Sequence, residues 1–476
     1  MKENKGEVRL ERHSIDHIPL SERHGKPRDL FFVWFSSNMQ ITGFVNGALA
    51  VLLGLNLFLA ILAIIVGNMV GALFMAYHSV QGPRMGVPQM IQSRAQFGFV
   101  GAALPAVLVI CMYMGFAVEG GVVSSRAIVE KFAVPLPVAA LIVTFIPAFV
   151  AIVGYKLIHI AARTVTFVSV GLFAILTVAL FRNLPGELPV ASPDAGLGTV
   201  LLAIAIYVAW QLTWAPYVSD YSRYLPEDTP SSQTFIWTYA GAVLGATWVM
   251  VLGAVAATIS SAQVAGDAIG MLSDQVPGVS WVILIALLVG TVPAGAFGTY
   301  GMFLTALSAV SAKGHNRAAP RVRAVFILLA STVIAFAVVL ADGQIQHTVL
   351  NITLFLLTLL VPWTAINLAD YYFVRRGHYD IKELFKVNGI YGLVSWPAIL
   401  AYVVALFAQV PFVNTGLYTG PAVEKFGGAD ISWIVGIAVA TLVYLPLARN
   451  KLRRSAIGRD LAAKPVDADL RVDDPR

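Results

Sequence analysis

The run from Leu57 to Ala76, "LFLAILAIIVGNMVGALFMA", contains no charged residue and is long enough to cross about 30 Å of hydrocarbon as a helix. Stretches of this kind recur between Leu30 and Leu447, centred near residues 42, 67, 111, 145, 170, 210, 247, 292, 329, 358, 401 and 440. In hydrocarbon every backbone N–H and C=O must be paired inside the protein, which leaves only helices and closed barrels. These runs are continuous rather than alternating, so a barrel is excluded. The sequence therefore predicts an all-α polytopic membrane protein of about twelve transmembrane helices. The charged fraction agrees: it is 12% here, against about 25% in an average soluble chain.

Positive charge orients the helices. With both termini cytoplasmic, only Arg126, Lys131, Arg182 and Lys425 of the 32 lysines and arginines fall on the external side. That asymmetry is what sets topology. It also accounts for the net charge of +6 without a nucleic-acid partner; the lipid bilayer is the partner the sequence calls for. The first 28 residues are charged and polar and read as a cytoplasmic N-terminal tail without a signal peptide. Residues 450–476 read as a disordered cytoplasmic tail. Cys111, the only cysteine, lies mid-membrane and has no partner for a disulfide within the chain. The localisation expected is the cell membrane (inner or plasma membrane); the sequence leaves the oligomeric state open, a monomer included.

The polar groups at membrane depth carry the functional signal. Histidines 13, 17, 24, 78, 159, 315, 347 and 378 all fall in tails, loops or near span ends, which leaves no histidine metal site. Asp220 and Asp370 stand at span ends, and Glu119 in "CMYMGFAVEGG" is the carboxyl near mid-depth. An intramembrane carboxyl costs a few kcal/mol or more and marks a substrate or ion path by default. The plain alternative is a neutral glutamic acid bonded to another helix. Span one holds Ser36-Ser37-Asn38-Met39-Gln40 at its centre; span six holds Trp210-Gln211 and Thr213-Trp214, followed by Pro216. Proline removes a backbone donor and disrupts the helix. Discontinuous helices at corresponding positions of two repeats expose backbone groups that bind ion and substrate at the midplane. The alternative is a pair of continuous helices whose polar side chains bond their neighbours. Span eight, "GTVPAGAFGTYGMFLTALS", is a third irregular stretch, with Thr291 and Thr299 as its available hydroxyls.

Three segments, "WFSSNMQITGFVNGAL", "GPRMGVPQMIQSRAQFGFVGAALPA" and "PYVSDYSRYLP", resemble the nucleobase–cation symporter-1 family over roughly residues 23–447. The resemblance implies a LeuT-like fold of two inverted five-helix repeats plus two helices, working by alternating access. The repeats would cover 29–181 and 198–372, and the added helices 391–449. It places the substrate among Gln40, Tyr113, Trp210 or its neighbour Gln211, and Gly298, with Glu119 near by. The hydantoin branch reads Trp-x-Gly-x-Gln in span three; here Tyr113 keeps the aromatic and Ala117 replaces the glutamine. Sodium in this family would take carbonyls of Ser36 and Met39 and hydroxyls of span eight, for which Thr291 is available. A proton on Glu119 is the other coupling ion. No cofactor and no metal beyond that ion are implied.

A flat heteroaromatic ring suits these side chains. Aromatics stack on it, and glutamine amides offer both donor and acceptor to its edge. A membrane-embedded enzyme is the first rival, but no H-E-x-x-H pattern or central histidine supports it. A channel is the second, and it would place rings of carbonyls or charges about a symmetry axis. The absence of a G-x-x-x-x-G-K-[ST] loop argues against an ATP-driven pump. The reading is a cation-coupled importer of a nucleobase-like heterocycle, cytosine, purine or aminopyrimidine, with hydantoins and vitamin-precursor pyrimidines as alternatives.

Overall fold

The computed structural model describes residues 15–153, 155–310, 320–341 and 345–454, and the expected tails lie outside these but for 15–28 and 450–454. Every named element among the described residues is helical, as the continuous apolar runs demand. Among the described residues nine helices are long and apolar enough to cross a membrane, and three shorter apolar ones, Ile41–Leu52, Phe167–Arg182 and Trp396–Phe412, accompany them. Each of the twelve expected centres falls in one of these.

Span one is two helices, α1 (Asp29–Asn38) and α2 (Ile41–Leu52). The chain leaves helical geometry at Met39 (φ −83°, ψ 67°) and is extended at Gln40 (φ −136°, ψ 159°). α3 (Leu57–Ser79) returns to the N-terminal face, where α4 (Gln81–Met85) and α5 (Gln89–Phe97) lie. Next come α6 (Ala103–Phe132), α7 (Leu136–Val153) and α8 (Tyr155–Arg182). Span six is broken as well, into α9 (Leu197–Leu212), a 3₁₀ turn (Ala215–Tyr217) and α10 (Val218–Ser222). α11 (Ser231–Ile259) leads to α12 (Ser261–Gly266) and α13 (Ala268–Asp274) on the opposite face. α14 (Ser280–Val310), the expected irregular eighth span, is one helix with Pro293 inside it. α15 (Pro320–Leu340), α16 (Ile345–Ala369), α17 (Trp396–Gln409) and α18 (Ser432–Arg454) complete the order.

Two bodies of helices meet at the centre. In one, α11 packs on α1, α2 and α3, and α3 on α9. In the other, α14 packs on α6, α7 and α8, and α15 on α6 and α7. α16 touches both, through α9 and α6, and carries α17 and α18 on its outer side.

Small residues bring the first body together. Cβ atoms added at Gly241 and Gly245 would lie 2.5 Å from the carbonyls of Phe31 and Phe35, and one at Gly253 would overlap the carbonyl of Phe44. Close approach of this kind needs glycine, and its spacing of four puts it on one helix face. Gly253→Val is therefore expected to lower stability by about 3 kcal/mol or more, because backbone rather than a flexible side chain stands in the way. Its check is a thermal melt in detergent: a variant melting with the wild type would contradict this packing.

The carboxyls at the span ends anchor structure. Asp220 accepts the Gln89 N–H at the start of α5, at 2.7 Å. Asp370 is fully buried and accepts from Tyr379 (2.8 Å), Tyr444 (2.9 Å) and Arg375 (3.1 Å).

Candidate substrate cavity

The polar run of span one exists to end a helix inside the protein. As α1 stops, the Ser36 and Ser37 hydroxyls donate back to the Val33 carbonyl at 3.2 and 2.7 Å, and Asn38 Nδ2 donates to Trp34 O at 2.7 Å. At the other break, Thr213 donates to Trp210 O at 2.7 Å, just ahead of Pro216. The two breaks are joined directly, since Trp210 Nε1 donates to Asn38 Oδ1 at 2.7 Å. The carbonyls of Val33, Trp34 and Trp210, beside the two breaks, thus each take a side-chain donor.

Between the breaks lies a cavity of about 200 Å³. Ser36, Met39, Gln40, Tyr113, Thr291 and Gly298 all line it. Across it, a Cβ on Gly298 would sit 3.8 Å from the Tyr113 ring, so this glycine keeps a flat wall open. The rest of the wall divides by chemistry. Phe116, Trp214, Tyr217, Tyr221 and Phe297 are aromatic; Ser124, Thr144, Ser169, Thr299 and Ser331 bring hydroxyls. The Thr291 hydroxyl donates to Leu288 O at 2.7 Å and keeps its lone pairs.

Three sequence candidates stand behind the wall. Trp210 and Gln211 are fully buried and do not line the cavity. Trp210 packs edge-on against Phe116 and Trp214, at centroid distances of 5.8 and 6.0 Å. Gln211 donates to Asn68 Oδ1 at 2.8 Å and to Ala242 O at 3.2 Å. The reason is where α9 stops: it runs through Leu212, so the residues that turn inward are Trp214 and Tyr217. Pro216 was the available signal, because a proline has no N–H to donate to the preceding turn. Glu119 is the third; it is fully buried, while its neighbours Gly120 and Gly121 line the cavity.

A second cavity, of about 760 Å³, lies toward the N-terminal face, lined by Glu22, Lys26, Asp29, Pro88, Arg223 and Ser308 among others. Tyr113, Tyr217, Tyr221 and Phe297 line both cavities and form the partition. The Tyr113 and Tyr217 rings are 5.3 Å apart, and those of Tyr221 and Phe297 6.3 Å. Toward the opposite face the lining ends at Thr42 and Ser124, and beyond it Ala48, Leu49 and Ala50 are fully buried. A separate hollow on that face holds Arg126, Glu130 and Asp267; burial pushes the Asp267 carboxyl above its ordinary range against the pull of the Gly270 N–H. No group of three or more His, Cys, Asp or Glu side chains that could hold a metal occurs among the described residues.

Two broken helices facing each other across a cavity that is walled toward one face define a secondary transporter. The solved structure of Mhp1 in an inward-facing conformation is similar over 96% of this chain and 99% of that one, with a TM-score of 0.71 at 17% identity. Mhp1 closed around bromovinylhydantoin, described as a nucleobase-cation-symport-1 family transporter, has the same score over 95% of this chain. The fold is thus LeuT-like. The model of the family of permeases for cytosine/purines, uracil, thiamine and allantoin matches residues 17–436. The chain belongs to this family, the nucleobase–cation symporters-1, whose members are transporters and not enzymes. A Bacillus subtilis (strain 168) protein named "Putative purine-cytosine permease YxlA" is 39% identical, over 94% of this chain and 98% of its own length. The purine-cytosine permease fcyB of Emericella nidulans is 25% identical, over 93% of this chain and 89% of its own.

Proposed function

We propose that this protein imports a nucleobase or related flat heterocycle, of the cytosine, purine or aminopyrimidine class, together with a cation, by alternating access. The observation that carries this reading is the cavity itself: Tyr113, Trp214 and Tyr217 offer ring faces beside the Gln40 amide, at the meeting of two helix breaks. Stacking tolerates any base, while an amide presents donor and acceptor together to a ring edge. The names of the Bacillus and Emericella relatives support the substrate class. Trp210 and Asn38 join the two breaks behind the binding wall, and Gln211 ties α9 to α3 and α11.

Residues 29–181 and 198–372 act as the inverted repeats, with 391–449 as two added helices, twelve crossings in all. The N-terminal face is cytoplasmic and the membrane is the cell (inner or plasma) membrane. Reporter fusions at 262–276 and at the C-terminus should read opposite sides; the same side for both would refute this topology. The coupling ion is read as the proton, carried by Glu119. Sodium would instead use Ser36, Met39 and Thr291, which share the cavity wall.

Counterflow in proteoliposomes tests the function. Vesicles loaded with unlabelled cytosine, adenine or hypoxanthine should take up the labelled base transiently. If none of these is exchanged, and no hydantoin or pyrimidine vitamer raises the melting temperature, the reading fails.

A further inference from the structure

Glu119 sits where three helices meet, buried beside the central cavity, whose lining on α6 runs on past it to Ser124. Its Oε1 accepts from Asn46 Nδ2 of α2 at 2.8 Å, and its Oε2 is buried without a partner. Asn46 also donates to Thr42 O at 3.1 Å, and its Oδ1 accepts from Thr353 of α16 at 3.4 Å. Asn46 and Glu119 are fully buried, and Thr353 is 1% exposed. Helix packing here is tight: a Cβ on Gly115 would lie 2.8 Å from Ile352 of α16, and one on Gly121 2.5 Å from Val338 of α15. The junction joins α2, α6 and α16, and on α2 it lies one turn outward of Thr42, the last residue of that helix to line the cavity.

Among the described residues no cation faces this carboxyl. α2 and α7 contain no titratable residue; α15 carries Arg321 and Arg323, and α5 Arg94, at the N-terminal face. α14 carries Tyr300, near the same face. On α6, Tyr113 lies toward the cavity, and Arg126, Glu130 and Lys131 lie two turns or more outward. Asp267 and Asp274 flank α13, also outward. α16 carries His347, whose side chain falls outside the described residues.

We propose that Glu119, Asn46 and Thr353 form a seal toward the opposite face that holds when Glu119 carries a proton and opens when it does not. This deepens the transporter reading and rests on it. A neutral carboxyl fits a dry junction with one amide donor. A carboxylate there has a single N–H and no counter-charge, and buried charge of that kind is strongly unfavourable. Ionisation therefore favours the arrangement in which α16 moves off α2 and water reaches Oε2. In that state Oε2 takes one proton from water at the opposite face, and the seal closes. With the cavity open to the N-terminal face, the proton passes to water in the cavity, one residue away at Gly120, and the empty carrier returns. The proton shifts the equilibrium by its differential affinity for the two states, as any ligand does.

The test uses the full chain with Cys111→Ser and Leu350→Cys, one turn outward of Thr353 on α16, in right-side-out vesicles. Labelling by a membrane-impermeant maleimide is read against Leu417→Cys, an exposed position on the same face, which removes the thiolate's own pH dependence. The ratio should rise roughly tenfold or more from acid to alkaline pH as the open population grows. Glu119→Gln should hold it low and flat, Glu119→Asp should restore the response, and Thr353→Val should raise labelling at acid pH. A flat ratio with Glu119 present, or a pH response that survives in Glu119→Gln, overturns the seal. Should Glu119→Gln not fold, the Thr353→Val and Glu119-containing measurements decide the matter alone. Exchange of labelled cytosine by wild-type vesicles separates the two readings. Exchange with a flat ratio sinks the seal and spares the transporter; no exchange of any nucleobase sinks the transporter.

Discussion

Glu119→Gln is expected to lose accumulation driven by a pH gradient altogether. One pH unit across the membrane supplies about 1.4 kcal/mol per proton carried, or about tenfold accumulation at one proton per substrate. Glutamine keeps the shape and can still meet Asn46, but no proton can come or go. The gradient then has nothing to act on, and the internal-to-external ratio should not rise above one. The measurement is uptake in sodium-free vesicles with a pH gradient imposed, followed by the same with sodium imposed alone. Strict dependence on sodium, with Glu119→Gln still concentrating substrate, would move the coupling to Ser36, Met39 and Thr291 on the cavity wall.

Tyr113→Ala and Trp214→Ala should each weaken substrate binding by about 1–3 kcal/mol, roughly 5- to 150-fold in Kd. Both rings line the cavity, so each loss removes a face against which a flat ligand packs. Gln40→Ala should weaken binding by about 1 kcal/mol or more, because a buried ring edge is then left without its partner. Trp210→Ala should behave differently. Its ring does not reach the cavity, and its indole N–H bonds Asn38, so the variant should melt earlier before it binds worse. Calorimetry and thermal melts on the same samples separate the two classes. A Trp214 variant with wild-type affinity would displace the substrate from this wall.

How far the sequence could be read depended on whether a signal was local. Each break announces itself within a few residues: Ser36 to Gln40 is a polar run inside an apolar span, and Pro216 removes a backbone donor just past Thr213. Gln40, Tyr113 and Gly298 reach the cavity because their positions follow from those breaks or from the helix that faces them. At span six the sequence points to Trp210 or Gln211, whereas Trp214 lines the cavity. Four residues apart, Trp210 and Trp214 occupy one face of any ideal helix, and only the last residue of α9 decides which turns inward. Glu119 was conspicuous as a lone carboxyl, but its partners were not. Asn46 is 73 residues away and Thr353 belongs to the second half of the chain, so their meeting is a product of packing. The same holds for Ser124, Ser169 and Ser331, ordinary hydroxyls until three different helices bring them to one wall.

The contact of α11 with the first broken helix has a mechanical consequence. Where Gly241, Gly245 and Gly253 let main chain lie on main chain, no rotamer stands between the helices to absorb displacement. Close-packed contacts transmit strain, and packed interfaces switch between arrangements rather than stretch. α1, α2 and α11 therefore travel as one lever, and the compliance of the cycle must sit elsewhere, at junctions built from side chains such as those of α16. Bulk added along the lever should act on whether the protein forms; bulk added at its bearings should act on how fast it turns over.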